Sequence, residues 1–123
     1  MSAQPMRLGP LEQQVMDILW DAGPSTVREI IDALPTPSAY TTIATVLHNL
    51  DRKKLVSAQR RRRSVHYRAK HSRDQHAAQL MNQALASSKD RAASILHFVD
   101  TISDDDAALL REYLQRPRTD DQP

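Results

Sequence analysis

The hydrophobic period of this chain changes twice, and that alternation limits its architecture more than any other feature. Up to Leu55 the apolar residues recur every three or four positions, from Val56 to Lys70 they alternate, and from His71 to Arg116 the helical period returns. Breakers cut the first stretch into short helices. Leu11, Val15, Ile18 and Leu19 line one of them, which Pro10 suits as a first-turn residue and Gly23-Pro24 ends. Thr26-Val27-Arg28-Glu29 has the form of a capping box, opening a helix on Val27, Ile30, Ile31 and Leu34 that Pro35 and Pro37 stop. Ser38 is positioned to cap a third helix whose apolar stripe is Ile43, Val46, Leu47 and Leu50. Its opposite stripe, Thr41, Ala44, Thr45, His48 and Arg52, is small and uncharged at one end and basic at the other. Val56 to Arg61 and Ser64 to Lys70 then read as strands around an Arg62-Arg63 turn. Val65, Tyr67 and Ala69 lie on one face of the second strand, with His66, Arg68 and Lys70 on the other.

Three short helices followed by a hairpin is the winged helix-turn-helix order, in which the third helix enters the major groove and the hairpin touches flanking phosphates. Threonine suits such a helix because its hydroxyl can hydrogen-bond a base edge and its methyl can pack on thymine. The charge pattern agrees. Residues 1–73 carry 12 basic and six acidic side chains, and the remainder carry five basic and nine acidic, so the net +2 conceals +6 followed by −4. Ten cations between Arg52 and Arg73 face no acid within that run. A solvated face is the ordinary reading of such a run, but a hairpin beside a threonine-lined helix makes polyanion binding the stronger one. Arg52, Arg60, Arg61, Arg62, Arg63 and Arg68 are the expected phosphate contacts, and Thr41, Ala44, Thr45 and His48 the expected base-reading face.

The rest of the chain is helical in period and acidic in balance. Ala77, Leu80, Met81, Ala84 and Leu85 form one stripe; Ala92, Ile95, Leu96, Val99 and Ile102 form another after Ser87-Ser88. Ser103 followed by three aspartates opens a last helix bearing Leu109, Leu110, Tyr113 and Leu114. Amphipathic helices outside a small domain must bury their stripes, and a second copy of the chain is the expected partner, a lipid or drug pocket between helices being the alternative. Leu80, Met81, Leu85, Ile95, Leu96, Val99, Leu110 and Leu114 are the expected dimer contacts. The expected fold is therefore mainly α with a small β-hairpin. A winged helix-turn-helix domain should occupy residues 1–71, a helical dimerisation domain 72–116, and a disordered polar tail 117–123.

Composition excludes several chemistries. With no cysteine the chain has no disulfide, thiol nucleophile or Cys-based metal site, and two glycines leave no phosphate-cradling loop. His71, Asp74 and His76 are spaced so that they diverge on a helix, and no serine sits in a nucleophile elbow, so neither a metal, a cofactor nor an enzymatic activity is expected. Five aromatic residues imply an aliphatic core, with Trp20 and Tyr67 in it. No apolar run suggests a signal peptide or a membrane span of about 18 residues, so a cytoplasmic protein without stable membrane association is expected.

Three segments carry a family resemblance: LGPLEQQVMDILWDAGPSTVREIIDAL, AYTTIATVLHNLDRKKLV and RSVHYRAK, within a match from Leu8 to about Gln115. They resemble the BlaI/MecI/CopY family of bacterial winged-helix repressors. The resemblance implies a homodimer on double-stranded inverted-repeat operators with TACA/TGTA-type half-sites, repressing beta-lactam resistance and related envelope-response genes. It places Thr41, Thr42, Ala44 and Thr45 in the base-reading helix and Arg61 to Arg63 at the wing tip. It further implies release through a membrane sensor metalloprotease. The cut would fall at His97-Phe98, within Leu96-His97-Phe98-Val99-Asp100, where the family motif has Asn in place of His97. Asn49 and Lys54 stand where the family often has Arg and Gly, and the cysteine motifs of the copper-responsive branch are lacking. Two other readings stay open: a MarR-like regulator released by a small molecule, and a helical adaptor whose basic patch binds an acidic protein.

Overall fold

A computed structural model describes residues 7–117; the remainder of the expected polar tail, 118–123, lies outside the described residues. Helices α1 (Pro10–Ala22), α2 (Val27–Ala33) and α3 (Tyr40–Arg52) precede strands β1 (Val56–Arg61) and β2 (Ser64–Ala69), and α4 (Arg73–Ala86), α5 (Arg91–Thr101) and α6 (Asp104–Gln115) follow. This is the mainly helical fold with one hairpin that the alternating period implies. The chain divides into two compact units, one extending through Gln83 and the other from Ala84 onward, so most of α4 belongs to the first.

Local chemistry sets the helix ends. Glu12 accepts the Gly9 N–H at 2.9 Å at the start of α1. At α2 the capping box is complete: Thr26 Oγ1 accepts from Glu29 N–H at 3.1 Å and Glu29 Oε1 from Thr26 N–H at 2.9 Å. The expected Ser38 cap of α3 is not formed. Ala39 holds the N-cap position without a side-chain bond, while the Ser38 hydroxyl donates back to the Thr36 carbonyl, an alternative that short hydroxyl side chains readily take. The other end of α3 closes in a Schellman arrangement, with Lys54 N–H on Asp51 O and Leu55 N–H on Leu50 O. Lys54 adopts φ 66° to make it. That left-handed conformation costs a non-glycine residue about 1–2 kcal/mol, and burial of Leu50 and Leu55 on either side offsets it.

Eleven aliphatic or methionine side chains form the core of the first unit: Val15, Met16 and Leu19 from α1, Val27, Ile30 and Leu34 from and just after α2, Ile43, Leu47 and Leu50 from α3, then Leu55 and Val56. Ile43, Leu47 and Leu50 are wholly inaccessible. Met16, outside the stripe expected for α1, is also buried. Trp20 and Tyr67 pack at the edge of this core, half-buried, rather than within it. The polar atom of Trp20 explains its position, since the indole N–H must reach a partner and finds the His71 carbonyl at 2.8 Å.

The hairpin is antiparallel, with Arg61 opposite Ser64 as its last pair and Val56 opposite Ala69 as its first. Ser25 adds one further bridge, exchanging backbone hydrogen bonds of 2.9 and 2.8 Å with Tyr67. That rung anchors the base of the hairpin to the α1–α2 loop. It has no periodic signal in the sequence because it is a single residue. A salt bridge ties the end of α3 to the start of α1, Lys53 Nζ lying 2.9 Å from Glu12 Oε1. Burial opposes ionisation of Glu12, but the Gly9 amide and the hydrogen bond and charge of Lys53 outweigh it, holding the carboxyl below its ordinary range.

The first turn of α4 rests on α1. Arg73 pairs with Asp17 and Asp21 at 3.2 Å each and its guanidinium lies 5.0 Å from the centre of the Trp20 ring. His76 is buried against the same indole, ring centres 5.5 Å apart, with its Nδ1 unpartnered. Burial, reinforced by His71, pushes its pKa below the ordinary 6.5. The unfolded chain therefore binds the extra proton more readily. This contribution to stability is complete above pH 6.5 and shrinks as the pH falls from there toward the lowered folded value. Urea unfolding at a series of pH values should show that decline, and His76→Leu should flatten it; an unchanged acid limb in the variant would contradict the buried neutral imidazole.

Candidate nucleic-acid interface

The buried stripe of α3 determines what its other side presents. With Ile43, Leu47 and Leu50 turned into the core, Thr41, Thr42, Thr45, His48 and Arg52 are exposed and Ala44 is half-exposed. Thr41, Thr45, His48 and Arg52 follow one another at spacings of four, three and four, which makes a single outward ridge. Arg52 is held at the end of that ridge by Asn49, whose Oδ1 accepts from its guanidinium at 3.2 Å. The residue standing where the family often has arginine thus orients a neighbouring arginine. The first turn of α3 carries no side-chain cap, leaving its amide groups open to an anion.

The structure divides the ten cations of Arg52 to Arg73 into two groups. Lys53 and Arg73 are engaged with carboxylates of α1 and serve the fold. Among the described residues no ion pair involves Arg52, Lys54, Arg60, Arg61, Arg62, Arg63, Arg68 or Lys70, and all eight are exposed. The strand register sorts those of the hairpin further. Arg60 faces Val65, on the side of Tyr67 and Ala69; Arg61 and Arg68 share the other side with Ser57, Gln59, Ser64 and His66. Arg62 and Arg63 lie beyond the last pair, Arg62 in the left-handed conformation at φ 57°.

The expected phosphate contacts therefore do not all lie on one face. Three further cations, outside the expected phosphate contacts, form no ion pair among the described residues. Lys54 and Lys70 flank the hairpin base, and Arg28 of α2 stacks over the exposed Tyr40 ring at the start of α3, 6.0 Å from its centre. Only the pairing of Lys53 and Arg73 with distant acids separates those two from the rest, and sequence distance conceals it.

The second unit presents apolar surface. Ile95, Leu96, Val99, Leu110 and Leu114 are exposed, as is Met81 on the part of α4 that belongs to the first unit; Leu80 and Leu85 are half-buried. His97 and Phe98 lie within α5, both exposed.

A hydroxyl-lined helix backed by an aliphatic core and followed by an unpaired basic hairpin defines a winged helix-turn-helix DNA-binding regulator. The chain belongs to the penicillinase repressor family, whose match spans residues 8–116. It is 44% identical over 114 residues to proteins described as transcriptional regulator BlaI from two strains of Mycobacterium tuberculosis, covering 88% of this chain and 83% of theirs. It is accordingly a transcriptional regulator of the BlaI type. Solved structures share the fold. An ArsR-like transcriptional regulator from Rhodococcus sp. RHA1 superimposes with a TM-score of 0.53 at 20% identity, over 76% of this chain and 86% of that one. A possible transcriptional regulator for arsenical resistance gives 0.51 at 21%, over 76% and 90%. A MarR family protein from Bacillus stearothermophilus gives 0.50 at 17%, over 88% and 71%. Among the described residues no helix is long and apolar enough to cross a membrane.

Replacing Arg62 and Arg63 together by Ala should weaken binding to every duplex and lower the slope of log affinity against log salt by about two. Thr45→Val or Thr41→Ala should instead change the preference between binding sites by about 1–3 kcal/mol with the slope unaltered. Titration of both sets at several salt concentrations checks this, and an exchange of the two effects would reverse the assignment.

Proposed function

We propose that the protein is a repressor that binds inverted-repeat operators as a homodimer and blocks transcription by occupying them. The observation carrying this reading is the outward ridge of α3, Thr41 to Arg52, rigidly backed by wholly buried side chains and bordered by unpaired cations. In this reading residues 1–71 bind DNA, with Thr41, Thr42, Ala44, Thr45 and His48 at base edges and Arg52, Arg60 to Arg63 and Arg68 on phosphates. Residues 72–116 pair the two chains through Leu80, Met81, Leu85, Ile95, Leu96, Val99, Leu110 and Leu114. The support for pairing is that α5 and α6 contain no buried side chain of their own, although short helices draw most of their stability from packing. Family membership and the 44% identity to BlaI regulators favour control of beta-lactam resistance genes.

Release in this reading follows proteolysis in α5 at His97-Phe98, in response to a membrane sensor metalloprotease. The exposure of both residues supports it, as does the lack of core contacts that would resist local unfolding of α5. Histidine in place of the family's asparagine is the feature of this chain that bears on whether the bond is cut. In beta-lactam-treated cells an immunoblot should show a fragment of about 97 residues, the length that His97-Phe98 cleavage dictates. Full derepression with an intact chain would remove the proteolytic step.

Nuclease footprinting of the purified protein on its own promoter tests the central reading. Two symmetric protected half-sites, one helical turn of about 34–36 Å or a multiple apart, are expected. Leu96→Asp with Leu114→Asp should give monomers in sedimentation and abolish the paired footprint. Protection without symmetry, or no preference over random DNA, would contradict it.

A further inference from the structure

We propose that His76 and Arg73, in the first turns of α4, are positioning residues that set which spacing between operator half-sites the paired protein accepts. The inference rests on the operator-binding reading above and concerns the distance between two α3 ridges, not what either ridge reads.

The chain enters α4 from a fixed point. Three residues separate β2 from α4, and two of them are tied to the first unit: the Lys70 N–H donates to Leu55 O at 2.9 Å, and His71 O accepts from the Trp20 indole N–H at 2.8 Å. The third, Ser72, opens the helix through a capping box. Its Oγ accepts from Gln75 N–H at 3.0 Å and its own N–H donates to Gln75 Oε1 at 2.8 Å. A fixed entry point still leaves the direction of the helix undetermined.

Direction comes from two side chains. His76 is the one buried residue of α4, and its ring meets Trp20 with centres 5.5 Å apart and planes at 48°. Arg73, three residues earlier, spans Asp17 and Asp21 of α1 at 3.2 Å each, with its guanidinium 5.0 Å from the centre of the same indole. Ion pairs this exposed add little to stability. An imidazole whose Nδ1 has no partner is also a poorer buried residue than an aliphatic one. What a flat ring and a forked guanidinium supply is a defined angle, which an aliphatic side chain sliding on the indole would not.

That angle is amplified along the helix. The core and the Glu12–Lys53 pair fix α3 to α1, so the angle between α1 and α4 also sets where the ridge stands relative to the far part of α4. Leu80 and Met81, assigned above to the pairing of chains, lie there, four and five residues past His76 and inside the first unit. The 14 residues of α4 span about 21 Å. A tilt of about 15° at the first turn moves the far end by about 5 Å, and pairing two chains doubles the effect. One base pair is a step of about 3.4 Å. A helix free to tilt would therefore accept spacings differing by about two or three base pairs, and a helix held by His76 and Arg73 accepts one.

The test starts from an inverted repeat selected from a random pool by the full-length protein. The repeat is rebuilt with its half-sites moved by one, two and three base pairs in either direction, beside a duplex carrying a single half-site. Arg73→Ala, Asp17→Asn with Asp21→Asn, and His76→Ala are compared with the natural sequence by fluorescence anisotropy at fixed salt. The natural protein should lose at least about tenfold in affinity for a change of two base pairs, and each variant less than about threefold. Arg73→Ala removes a cation and the double variant removes two anions, so an electrostatic role would move their overall affinities in opposite directions, whereas positioning flattens both profiles. The core draws no side chain from α4, so His76→Ala, which changes no charge on the ridge, should keep its affinity for the single half-site.

Profiles as steep as that of the natural protein in all three variants would overturn the inference and leave the operator reading standing, as would a natural protein indifferent to spacing. An equal loss by His76→Ala on the single half-site and on every repeat would also overturn it, because the seat would then act on the ridge itself. A profile flattened at one residue and not the other would remove the unaffected residue from the assignment. A pool that yields no inverted repeat would overturn the operator reading and this inference with it.

Discussion

The rotation of α3 about its own axis is the constraint on which the molecule depends. Ile43, Leu47 and Leu50 have no accessible surface, and each sits against aliphatic side chains of α1, α2 or the strand that follows. Burying side chains of this size contributes about 1.5–3 kcal/mol apiece, so turning the helix to expose them would cost a large share of a small domain's stability. One face is thereby committed to the core. The other, lined by threonines, is held at a fixed angle, as a helix must be if it is to place short side chains within hydrogen-bonding distance of base edges.

Electrostatics is arranged around the same helix. The carboxylates of α1, Glu12, Asp17 and Asp21, take up Lys53 and Arg73, the cations that brace α3 against α1 and α4 against α1. The cations that form no ion pair among the described residues border the threonine ridge and crown the hairpin. A basic run that looks uniform along the chain thus serves two purposes, and the distance to an acid decides which. The unpaired group gives the surface its affinity for polyanions and makes that affinity sensitive to salt.

Much of this was legible before any coordinates. The helix stripes, the Thr26 capping box, the hairpin with its Arg62-Arg63 turn and the outward threonines all follow from period and breakers, because each depends on residues close in sequence. What escaped depends on distant partners or on a single backbone angle. The Ser25–Tyr67 rung, the Glu12–Lys53 pair and the seat of His76 on Trp20 join residues more than 40 positions apart. Ser38 has the right chemistry for a cap but spends its hydroxyl on a nearer carbonyl. Lys54, standing where the resembling family often has glycine, forms the same left-handed helix end, because buried Leu50 and Leu55 hold it there.

Backbone amide NMR shifts recorded while the operator duplex is titrated into the intact protein test most directly whether the threonine ridge is the reading surface. Perturbations concentrated on Thr41 to Arg52 and on Arg60 to Ser64, with Asp17, Asp21 and Arg73 unmoved, are the result this account requires. Shifts confined to α5 and α6, or to the acidic side of α1, would contradict it.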